Sequence, residues 1–64
     1  MERRKLEAHL RRHGCKLHHH GRKHDVWWNP ETEAMASIPR HRTLKKHTAR
    51  GICRELGVLP PDGL

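Results

Sequence analysis

The sequence predicts an α+β fold in the order αβββα, a three-stranded antiparallel sheet with both helices packed on one face. Three observations carry this expectation. Leucines at helical spacing open the chain, and an Ala/Ile/Cys/Leu stripe at i, i+3, i+4 and i+7 closes it. Between them lie short segments containing Val, Trp and Ile, separated by turn residues. Two helices stacked on one side of a meander leave the other sheet face open to a ligand or partner.

Residues 3–13 form the first expected helix. Leu6 and Leu10 share a side, Glu7 and Arg11 have ion-pair spacing, and Gly14 suits the position just past a helix end. Residues 15–20 then alternate as a half-buried strand. Cys15, Leu17 and His19 face one way, and Lys16, His18 and His20 the other. Gly21-Arg22-Lys23 is a turn, and His24 to Trp28 a second strand. Asn29-Pro30-Glu31-Thr32 makes a hairpin loop. Residues 33–38 form the third strand, with Ala34, Ala36 and Ile38 on one face and Pro39 as its end.

A basic connector spans residues 40–46. The second helix, residues 47–56, carries Ala49, Ile52, Cys53 and Leu56 as its apolar stripe, and Gly57 and Pro60-Pro61 stop it. Residues 1–58 therefore read as one domain, with 59–64 as a tail in which Leu59, like Val58 before it, can still pack. The adjacent Trp27 and Trp28 must project to opposite sides of their strand. One belongs to the core and the other to the open face or its edge, where it can stack on a base or bury against a protein; alternation does not say which.

With 64 residues, 33% of them hydrophobic, the chain is too short for a nucleotide-binding βαβ domain, a barrel or a large enclosed pocket. Any active centre is a surface site of few residues. Charge points to its partner. Fourteen Lys and Arg against seven acids give +7, and no acid falls between Ala8 and His24 or between Ala34 and Arg54. Such a field favours a polyanion, nucleic acid first and an acidic protein second. No apolar run is long enough to span a membrane, and the expected location is the cytoplasm. Cys15 and Cys53 sit beside apolar residues and read as small core side chains.

Several chemistries are disfavoured. The ligand spacing for structural zinc is missing, and no cofactor or metal is expected. No G-x-S-x-G elbow exists, the cysteines occupy apolar positions, and the carboxylates are scattered. General acid–base chemistry on RNA asks for less, because the ribose 2′-OH supplies the nucleophile and one imidazole can move its proton. His24 follows a turn whose Arg22 and Lys23 can hold a phosphate, although spacing alone leaves His20, His41 and His47 as alternatives.

The run Gly21-Arg22-Lys23-His24-Asp25-Val26-Trp27-Trp28-Asn29-Pro30, then Ile38-Pro39-Arg40-His41-Arg42, then Ile52-Cys53-Arg54-Glu55-Leu56-Gly57 resembles the HicA family of toxins from type II toxin–antitoxin systems. Leu6 through Gly14-Cys15 fits the start of that family, so the resemblance runs from about residue 2 to residue 58. It implies a double-stranded-RNA-binding-domain-like fold, mRNA interferase activity and a HicB-type antitoxin that covers the active site in a hetero-oligomer. The family's functional histidine maps onto His24, and Lys23 replaces the serine that usually precedes it. The expected site is then His24 as catalytic group, with Arg22, Lys23, Arg40, Arg42 and Lys45 along the RNA. The rival readings are a module of the same shape that binds double-stranded RNA without cutting it, and one half of a protein complex whose basic surface meets an acidic antitoxin.

Overall fold

The computed structural model describes residues 1–62. Its elements are α1 (Arg3–Arg12), β1 (Lys16–His20), β2 (His24–Asn29), β3 (Ala34–Pro39) and α2 (Lys46–Leu56), so the expected αβββα order holds. The sheet is antiparallel throughout, with β2 between β1 and β3. One face is covered by both helices. Leu6 and Leu10 of α1 and Ala49, Ile52, Cys53 and Leu56 of α2 join Trp27, Ala36 and Ile38 in a single core.

Each helix ends as its glycine foretells. Gly14 has φ 87° and Gly57 φ 71°, a left-handed conformation that costs glycine little. Cys15 N–H donates to the Leu10 carbonyl and Gly14 N–H to Arg11; Val58 and Gly57 repeat the pattern onto Cys53 and Arg54. Both ends are thus Schellman motifs, and the residue after each glycine, Cys15 or Val58, is buried. The helix starts are different, because neither has a side-chain cap. At α1 the connector supplies the acceptor instead, since Arg3 N–H donates to the Arg42 carbonyl at 2.9 Å. Met1 and Leu44 exchange two backbone bonds alongside it, and the buried Leu44 anchors the connector.

Five expectations are corrected. The first strand is not half-buried: all of β1, Leu17 included, is exposed, and only Cys15 just before it is buried. Glu7 lies 3.9 Å from Arg3 rather than pairing with Arg11, whose guanidinium stands 5.0 Å above the Trp27 ring. The alternation of the first strand breaks in its middle: Leu17 pairs with Trp27 but His19 with Val26, leaving His18 as an extra residue. His19 therefore lies on the open face and His20 on the helix side opposite Asp25, the reverse of the simple pattern. Pro39 is the last residue of β3, paired with His24, because an edge strand tolerates its missing N–H. Leu59 is 80% exposed, although its carbonyl holds the His9 ring at 2.7 Å.

β2 separates the two tryptophans. Asp25, Trp27 and Asn29 are buried toward the helices, while His24 is exposed and Val26 and Trp28 half-buried on the open face. Asn29 also closes the base of the hairpin loop. Its Nδ2 donates to the Leu56 carbonyl at 2.9 Å, and its Oδ1 accepts from Glu31 N–H at 3.0 Å.

Candidate active site

The β1–β2 turn is drawn tight by Gly21, whose N–H donates to the His24 carbonyl at 2.7 Å. A Cβ at Gly21 would lie 2.8 Å from that carbonyl oxygen, so a side chain there would force the turn apart. Arg22 and Lys23 consequently project outward at the apex, and His24 begins β2 directly behind them. Across the sheet His24 faces Pro39, after which the chain leaves the sheet through Arg40 and His41.

A shallow pocket of about 390 Å³ lies between this turn and the end of β3, lined by Arg22, Lys23, His24, Pro39, Arg40 and His41. Four of the sequence-predicted residues, Arg22, Lys23, His24 and Arg40, are brought together there. Arg42 and Lys45 are exposed but do not line it, Arg42 running beside α1 and Lys45 preceding α2. His41 joins the pocket, a place the sequence left undecided among several histidines. Two larger hollows flank residues 58–62 on the helix side, away from the turn.

Beneath the turn sits a group that sequence reasoning missed. Oδ1 of the buried Asp25 accepts from His20 Nδ1 at 2.8 Å and from Arg40 Nε at 3.0 Å. The other end of the Arg40 guanidinium donates to the Gly21 carbonyl. The His20 hydrogen bond, aided by Arg40, holds the Asp25 carboxyl below its ordinary range against the opposing effect of burial. With Asp25 ionised, its oxygens can only accept, so Nδ1 of His20 carries a proton. The available signal was an acidic residue of the same strand parity as Trp27 and Asn29, two and four residues on, a side that only the structure shows to face the core.

Both thiols are buried and free, and burial pushes them up from the ordinary cysteine range. Among the described residues, no group of three or more His, Cys, Asp or Glu is arranged to hold a metal ion. No described helix is long and apolar enough to cross a membrane. The surface chemistry on offer is an exposed imidazole in a cationic pocket, on a turn braced from below.

Residues 3–58, nearly the whole chain, match the family described as HicA toxin of bacterial toxin-antitoxin. No curated protein and no solved structure matches.

Proposed function

The chain belongs to the HicA toxin family of bacterial toxin–antitoxin systems, and on that premise we propose that it is an mRNA interferase, a metal-independent endoribonuclease with His24 as its general acid–base residue. The observation that carries this reading is the exposed His24 in one pocket with Arg22 and Lys23. In the proposed reaction His24 takes the proton from a ribose 2′-OH. The freed oxygen attacks the adjacent phosphorus, the bond to the 5′-oxygen breaks, and that oxygen is protonated by the imidazolium or by water. A 2′,3′-cyclic phosphate results. Arg22 and Lys23 offset the charge that builds on the phosphoryl oxygens.

Inhibition follows from the same surface. The family implies an antitoxin partner; a HicB-type protein seated over the pocket would exclude RNA and form the toxin–antitoxin hetero-oligomer. The proposed setting is the cytoplasm, with cleavage of mRNA arresting translation.

The deciding experiment incubates labelled RNA with the purified chain and its His24→Ala variant. The native chain should shorten the RNA, the variant should not, chelators should have no effect, and 2′-deoxyribose at the cut position should block cleavage. A variant that cuts at full rate overturns the reading. Retention of RNA at full length by the native chain would favour the non-catalytic double-stranded RNA-binding module.

A further inference from the structure

We propose that the open face of β2 binds unpaired bases of single-stranded RNA, with Trp28 as the stacking residue; only the position of that base relative to the cut rests on the ribonuclease reading of His24. The face is built from cross-strand rows. His24 lies opposite Pro39, Val26 between His19 and Ser37, and Trp28 between Lys16 and Met35. None of these residues is acidic; Lys16 carries a positive charge, and His19 and His24 add ring nitrogens that can hydrogen-bond to RNA.

Trp28 is the aromatic centre of this surface. It is half-buried, and the neighbouring Met35 is 49% exposed, so the row presents apolar area to water. The β1 bulge brings a second ring to it. His18, the residue without a cross-strand partner, stands edge-on to Trp28 with centroids 5.8 Å apart and planes at 84°. His18 is itself fixed by a 2.7 Å hydrogen bond between its Nδ1 and that of His19. An indole beside Lys16 and the His18 ring, with no carboxylate in the paired rows, complements a base attached to a phosphodiester, since the ring stacks and the ammonium meets the backbone.

Geometry selects the single strand. His24 and Trp28 are four residues apart on one face of one strand, about 13 Å at strand rise, so a chain running along β2 would reach both. In a duplex the base faces are already stacked on one another and only edges and backbone are offered. A ring that recognises base faces therefore selects unpaired RNA.

The test uses the full chain and a fluorescent single-stranded oligonucleotide of 2′-O-methyl nucleotides, which cannot be cut by attack of the 2′-oxygen. Binding should quench tryptophan emission, because Trp28 is reachable whereas Trp27 is 1% exposed. Trp28→Ala should weaken binding roughly 5- to 150-fold, the range for loss of one stacked base, and Trp28→Phe should recover much of it. An oligonucleotide with abasic positions should bind the native chain correspondingly less well, which keeps the proposal testable should the alanine variant not fold. Unchanged affinity in both measurements overturns the platform, as does a duplex that binds equally well. Affinity lost only toward the antitoxin would make the face a protein interface and also overturn it. Cleavage by His24→Ala is scored separately: cutting that survives that substitution overturns the ribonuclease reading but leaves a Trp28-dependent affinity standing.

Discussion

Arg40 Nε donates to Oδ1 of Asp25 at 3.0 Å, and the same guanidinium reaches the carbonyl of Gly21. One side chain leaving β3 thus ties the start of β2 to the turn before it. The planar fork of an arginine can serve two acceptors at fixed separation, which the single ammonium of lysine does not. The cationic turn is braced by a residue that the charge pattern alone assigns to RNA.

That difference separates Arg40 from Arg22 and Lys23 in solution. Replacing Arg22 or Lys23 by Ala should lower the slope of log affinity against log salt by about 1 each, as for lost phosphate contacts. Arg40→Lys should keep the slope and still cut RNA more slowly, because the charge stays and the brace goes. Titrations across a salt series, with cleavage rates measured in parallel, check both; full-rate cleavage by Arg40→Lys would remove the brace from the mechanism.

Asp25 should make stability depend on pH in acid. Its folded value lies below its unfolded one, chiefly through the His20 hydrogen bond and then Arg40. The stabilisation is therefore complete above the unfolded value of about 3.9, shrinks as pH falls below it, and vanishes under the depressed folded value. Asp25→Asn should cost about 1–2 kcal/mol at pH 7, with the low end favoured because the His20 and Arg40 side chains are 68% and 40% exposed. Urea denaturation of both proteins from pH 7 to pH 2 should show the gap closing as acid is added. A gap that is constant or widens contradicts the assignment.

Asn29→Ala should destabilise the fold by about 1–3 kcal/mol, since it strips a hydrogen bond from the Leu56 carbonyl and another from Glu31 N–H. Thermal unfolding measures the loss. Cleavage per folded molecule should be unchanged, because the hairpin loop is at the opposite end of β2 from His24.

Gly57→Ala should cost about 1 kcal/mol through its left-handed φ of 71°. The added methyl would meet Thr32 Cγ2 at 3.6 Å, an ordinary contact, so the loss is conformational rather than steric. Denaturant midpoints resolve it, and an unchanged midpoint would show that the helix end relaxes.

Cys15 and Cys53 should resist alkylation in the native state and react quickly once urea unfolds the chain, because burial disfavours the thiolate. Mass spectrometry after a timed pulse of iodoacetamide separates the two cases; rapid native labelling would contradict their burial.

Local signals carried most of the architecture. The two glycines announced both helix ends, and the Ala49, Ile52, Cys53 and Leu56 stripe is buried as its spacing requires. The bulge at His18 escaped notice because nothing in a run of three histidines marks where a ladder slips, and the slip exchanged the faces of His19 and His20. Leu44 was lost in a basic stretch, yet it anchors the connector under Met1. At the site, Arg22, Lys23 and His24 were legible because a turn keeps them adjacent. The Asp25 brace was not, since its partners His20 and Arg40 come from five residues before it and fifteen after. Pairing across strands depends on register, which a one-dimensional pattern leaves open.

β1 borders the sheet on one side, and all five of its residues are exposed. A straight, greasy border of that kind invites a neighbour's strand and, repeated, a fibre. This one is bent at His18 and studded with a lysine and three polar imidazoles, Leu17 being its one apolar side chain. The chain thus carries its own guard against self-templated stacking.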